Sequence, residues 1–120
     1  MLVWPALLNG YPVLFSDTGA FLAQTLRPMM IWDKPYVYGP FLHLFHWRVT
    51  LWAPLVAQGL ILSHLLWLTQ RVWRGGASPG WHLALAAGLA ALTTAPWTAA
   101  TLMPDVFTPV TVLSLALLGL

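Results

Sequence analysis

Three carboxylates, Asp17, Asp33 and Asp105, are the only acidic groups in a chain of 120 residues that also carries five Lys or Arg and four His. A carboxylate at the edge of a low-dielectric region either has its pKa raised by desolvation and serves as a base, or stays ionised by pairing with a cation or metal. Asp17 stands in Phe15-Ser16-Asp17-Thr18-Gly19 and Asp105 in Met103-Pro104-Asp105-Val106-Phe107. No Asp, Glu, Lys or Arg occurs from Val49 to Gln70, nor from Gly75 to Pro104. If each of those stretches holds one membrane crossing, the chain leaves one face and returns to it, and all three acids share a compartment. Asp33 adjoins Lys34 and Pro35, so it reads as a local ion pair in a turn, which leaves Asp17 and Asp105 as the candidate catalytic acids. Helix capping is the competing role at Ser16-Asp17 and at Pro104-Asp105, since a side-chain oxygen there accepts from an otherwise unpaired amide. Spacing alone leaves both roles open.

Composition supplies the membrane that this argument needs. Hydrophobic residues make up 59% of the chain and charged residues 7%, with a mean hydropathy of +0.75, whereas soluble domains carry about a quarter charged residues. A hydrocarbon core of ~30 Å takes about 20 helical residues. The expected fold class is therefore all-α: a polytopic transmembrane helical protein with full spans over 49–70 and 81–97 and partial helices at 1–15 and 106–120. The stretch 16–48 is then a loop with a juxtamembrane helix over Thr18 to Leu26, closed by Arg27-Pro28, and 98–105 a short loop on the same side. The connection 71–80 is glycine-rich and carries Arg71 and Arg74 without an acid, which makes it cytoplasmic and the acids extracytoplasmic. Both apolar ends are too short to span on their own, so the sequence reads as part of a longer polytopic protein.

Trp47, Trp52, Trp67, Trp73, Trp81 and Trp97 flank the two spans, the placement expected of interfacial belts. The run Ala84 to Ala91 offers small side chains against which another helix can close. Arg27, Lys34 and Arg48 fall on the side of the acids, where they suit either a phosphate head group or simple anchoring to anionic lipid. Five basic residues dispersed over the chain make no stripe for nucleic acid. The absence of cysteine excludes thiolate metal sites and disulfides. His43 and His46 share a helical face without a third ligand nearby, and His64 and His82 sit at unequal depths, so no metal or haem site is expected and no cofactor is assigned. His64 is instead expected to bond a neighbouring helix, as buried intramembrane polar groups do.

The segments Asn9 to Leu22, Asp33-Lys34-Pro35-Tyr36-Val37-Tyr38-Gly39, Ala95-Pro96-Trp97 and Met103-Pro104-Asp105-Val106-Phe107 resemble the amino-terminal part of a family of bacterial integral membrane proteins. That family is in turn similar to the GT-C class of membrane glycosyltransferases. The resemblance implies a multi-pass protein of the bacterial inner membrane that takes sugar from a polyprenyl-phosphate-linked donor at the outer face. It further implies Asp17 as catalytic base or acceptor-orienting acid, Asp105 as a second acid, and Arg27, Lys34 and Arg48 as substrate-binding residues. The chain departs from the GT-C pattern in having no acidic neighbour beside Asp17. The rival expectation is a non-catalytic membrane protein, a small packing subunit or a transporter piece, in which the acids serve structure alone.

Overall fold

A computed structural model describes residues 1–27 and 31–119 and is all-helical in the described residues apart from one isolated β-bridge. The helices are α1 (Trp4–Asn9), α2 (Thr18–Leu26), α3 (Tyr38–His46), α4 (Trp52–Trp73), α5 (Pro79–Leu92), α6 (Ala95–Ala100) and α7 (Phe107–Leu118), with a 3₁₀ turn at Pro104–Val106 leading into the last. Gly10 ends α1 in the left-handed conformation, at φ 77°, that a side chain would resist. The juxtamembrane helix falls where Thr18 to Leu26 was expected. Arg27 leaves it with extended backbone, as a residue before proline must; Pro28 itself lies outside the described residues.

Among the described residues one helix, α4, is long and apolar enough to cross a membrane. Its 22 residues rise about 33 Å at 1.5 Å each, against a hydrocarbon core of about 30 Å. It starts and ends three residues later than the expected span, which brings Arg71 into its last turn, where a cation complements the helix dipole.

The second expected span, 81–97, is not one helix. It divides into α5 and α6 at Thr93-Thr94, and the 14 residues of α5 reach only about 21 Å. The cause is local. Pro96 has no N–H to give to the carbonyl of Leu92 and its ring crowds that turn. Thr93 turns extended, gives its hydroxyl to the Leu89 carbonyl at 2.7 Å and accepts the Ala95 amide at 3.1 Å, which starts α6 afresh.

Even so, the chain does return along α4. At one end Gln70 bonds His82, and nearer the other Gln58 bonds the carbonyls of Ala99 and Thr101. Those two α4 residues are twelve positions apart, about 18 Å along the helix. The core lies at the Gln58 end, where Ala6, Phe21, Tyr38, Leu42, Leu55, Ala100 and Leu102 are buried together. Gly59 makes room for α1, since a Cβ there would meet Val3 Cγ1 at 3.1 Å. The small-residue run of α5 buries only Ala86, and its Ala84, Gly88 and Leu92 face stays open.

Candidate functional site

Asp17 occupies the cap position of α2, yet its side chain makes no capping bond. Thr18 organises that corner instead: its Oγ1 accepts the Phe15 amide at 2.9 Å and donates to the Leu102 carbonyl at 2.9 Å. A parallel bridge lies alongside, with the Val13 amide donating to the Ala100 carbonyl and the Leu102 amide donating to the Val13 carbonyl, at 3.1 and 3.0 Å. Three hydrogen bonds thus tie the segment bearing Asp17 to the segment that ends in Asp105, and both acids emerge at the Gln58 end of α4.

The two carboxylates then differ in their surroundings. Asp17 Oδ2 lies 2.8 Å from Lys34 Nζ, and Asp33 Oδ2 lies 3.7 Å from the same ammonium. Asp33–Lys34 was the expected pair; the closer partner is Asp17, because the turn after Ile31 folds Lys34 back over the start of α2. Lys34 is held protonated, its pKa raised chiefly by the hydrogen bond to Asp17 against the opposing effect of burial, with the charges of Asp17 and Asp33 adding to the rise. Asp105 sits inside the 3₁₀ turn, not at a cap position, and is exposed with no cation in ion-pair range among the described residues.

Asp105 borders an open concavity of about 310 Å³ walled by Phe15, Trp97, Thr98, Thr101 and Met103. The rings of Phe15 and Trp97 are more than half exposed there. Trp97 is fixed edge-on by Trp4 at 5.9 Å, and Trp4 in turn donates its indole N–H to the Ala90 carbonyl at 3.3 Å. The arrangement offers flat apolar faces, threonine oxygens and one carboxylate free of any cation among the described residues.

Of the basic residues, Lys34 is committed to the acids, whereas Arg27 and Arg48 are exposed and paired with no acid among the described residues. Arg48 stands at the turn from α3 into α4, where it and Trp47 both have positive φ, 61° and 42°. His46 holds that turn: its Nδ1 accepts the Arg48 amide at 2.8 Å, and its Nε2 donates to Thr25 Oγ1 at 3.1 Å, the hydroxyl itself being given to the Leu22 carbonyl. His43 and His46 have ring centroids 5.7 Å apart, and no group of three metal-ligating side chains forms among the described residues.

Behind the acids lies a polar chain that the sequence reading missed. Tyr38, packed edge-on to Phe21, donates its hydroxyl to Gln58 Oε1 at 3.3 Å, and Gln58 Nε2 reaches Ala99 O at 2.8 Å and Thr101 O at 3.0 Å. Burial, and then the charge of Asp105, push the Tyr38 phenol far above its ordinary pKa, so it remains a donor. An amide alone in the apolar run before Ser63 is the signal that marks Gln58, since intramembrane polar groups need partners. His64 proves exposed; the cross-helix bonds belong to His82. Comparison with protein-family models, with curated proteins and with solved structures finds no match to this chain.

Proposed function

We propose that this chain supplies the acid-bearing end of a GT-C-like membrane glycosyltransferase, multi-pass in the bacterial inner membrane, which accepts sugar from a polyprenyl-phosphate-linked donor at the extracytoplasmic face. The reading rests on one observation above all: the Thr18 and Val13 hydrogen bonds that draw the Asp17 and Asp105 segments to the same end of α4. In it Asp105, unpaired beside the Phe15 and Trp97 rings, is the base that takes the acceptor's proton. Asp17 is the second acid, and it keeps Lys34 charged and positioned next to where the donor's phosphate arrives. The resemblance suggested the opposite division of roles, and the Lys34 ion pair is the reason for exchanging them. Arg27 and Arg48 serve as free cations for phosphate or for anionic lipid.

The Asp17–Lys34 contact also favours the rival reading of a non-catalytic packing subunit, in which that ion pair only braces the loop. Substitution separates the two. In membranes from cells expressing the protein in its native gene context, Asp105→Asn is expected to lower transfer of radiolabelled sugar from polyprenyl-phosphate donors by ~10²–10⁴-fold, the range for a lost acid–base group. Asp17→Asn is expected to cost less. Undiminished transfer in Asp105→Asn removes Asp105 from catalysis, and transfer no greater than in control membranes leaves the non-catalytic reading, a packing subunit or a transporter piece.

A further inference from the structure

From the middle of α4 toward its arginine end, Ser63 and Gln70 lie two turns apart on one helical face. Across them lies the imidazole of His82, with Nε2 at 3.0 Å from Ser63 Oγ and Nδ1 at 3.1 Å from Gln70 Nε2. Ser78 fixes the entry of α5 by accepting the Trp81 amide at 3.3 Å, which sets His82 in the first turns. The ring of Trp67 meets the imidazole edge-on at 5.5 Å. Ser63 and His82 also line a cavity of about 330 Å³ whose other walls include Leu2, Val3, Val56, Leu60 and Leu83.

We propose that Ser63, His82 and Gln70 form a second, acyl-transfer site: a serine nucleophile, its imidazole base and a positioning amide, opening on a cavity that takes the hydrocarbon chain of an acyl ester. A hydroxyl within hydrogen-bond reach of a base that is itself oriented by a third group is the arrangement that activates a nucleophile. The hydrogen-bond chain runs in either direction. With Gln70 Nε2 donating to Nδ1, the imidazole donates from Nε2 to Ser63; with the amide turned over, Gln70 Oε1 accepts from Nδ1–H and Nε2 accepts the Ser63 proton. Gln70 Oε1 is buried with no partner in the first arrangement, and the amide nitrogen takes that place in the second. Both directions therefore contain the same number of bonds, so the amide turns over without losing one and Ser63 gains a base. The largely apolar lining selects the substrate class, an ester whose acyl part is a hydrocarbon chain.

In the reaction, Ser63 Oγ bonds to the ester carbonyl carbon as its proton passes to His82 Nε2. The carbon–oxygen bond to the alcohol then breaks, and the departing alkoxide takes that proton. Water repeats the sequence on the acyl-serine, releasing the carboxylic acid and restoring the hydroxyl.

The test is covalent. The protein in vesicles is treated with a long-chain alkyl fluorophosphonate, in which phosphorus bonds to the serine oxygen as fluoride leaves, and the adduct is mapped by mass spectrometry. We expect modification at Ser63, faster than with a short-chain analogue, at a rate that climbs with pH. Ser63→Ala should give no adduct, and His82→Gln should slow labelling about 100-fold or more. Gln70→Ala should keep the adduct at Ser63 but displace the pH profile, an effect that a purely structural clamp would not produce. An unmodified Ser63, a rate indifferent to pH in the unaltered protein, or equal labelling in a helical His82→Gln protein would each overturn the proposal; if His82→Gln does not fold, the pH profile of the unaltered protein decides.

Discussion

His46 carries the clearest pH dependence in the chain. It is 5% exposed, and both ring nitrogens are engaged in a way that only the neutral imidazole satisfies, with Nδ1 accepting from the Arg48 amide and Nε2 donating to Thr25. Burial first, then the charges of His43 and Arg48, lower its pKa below the ordinary 6.5. The unfolded chain therefore binds a proton that the folded one refuses. The stability His46 contributes is complete above about pH 6.5 and is lost as pH falls through its lower folded value. The α3–α4 turn should loosen in that window, because a protonated Nδ1 opposes the Arg48 amide and leaves the Val49 and Thr50 amide bonds to the His46 carbonyl to hold two consecutive non-glycine residues at positive φ. Thermal unfolding in detergent measured from pH 7.5 down to pH 5 should show a declining midpoint that flattens in His46→Gln; an equal decline in that variant would assign the titration to another group. Asp17 teaches the same lesson about environment, since from sequence it was a cap or a base and in the fold it is the partner of Lys34.

Among the helices, α4 is the one against which α3, α5, α6 and α7 pack, and Gln58 is the residue that sets the register. Fully buried, it spends its amide nitrogen on the carbonyls of Ala99 and Thr101 and its oxygen on Tyr38. Gln58→Leu fits the apolar surroundings but strands those groups, at a cost of ~1–3 kcal/mol for each buried group left unpaired. Hydrogen–deuterium exchange should rise first at the Ala99–Leu102 segment and at α3; faster exchange confined to α4 would contradict this role. The α2 boundaries were legible from sequence because Asp17-Thr18 opens that helix and Arg27-Pro28 closes it. The position of α4 was legible from its uncharged run, within three residues. The break at Thr93-Thr94 was not foreseen, although Pro96 was in view: hydropathy is blind to a missing amide, and the threonine hydroxyls that complete the break leave the composition unchanged. The Thr18–Leu102 and Ser63–His82 contacts join residues far apart in the chain, and no local pattern announces them.

For the molecule as a whole, the decisive quantity is which end of α4 faces which compartment. Arg71 and Arg74 stand at one end, with Arg74 lying 4.5 Å over the Trp81 ring where the chain turns, and Asp17, Lys34 and Asp105 belong to the other. Because α5 and α6 bring the chain back, as the Gln70 and Gln58 contacts require, a crossing by α4 would separate the arginine turn from the acids whatever path the broken segment took. The proposed topology puts the arginine turn in the cytoplasm, on the density of Lys and Arg in short loops. The chain has no cysteine of its own, so single cysteines report their side without background. Gly19 and Gly76 are suitable positions, since a side chain added at either meets no heavy atom within 4 Å. In intact cells Gly19→Cys should react with a membrane-impermeant thiol reagent and Gly76→Cys should not, with Gly76→Cys becoming reactive once the membrane is opened. The reverse pattern would put the Asp105 concavity in the cytoplasm and end the case for an outer-face transferase. Equal reactivity of both before permeabilisation would deny that α4 crosses the bilayer at all.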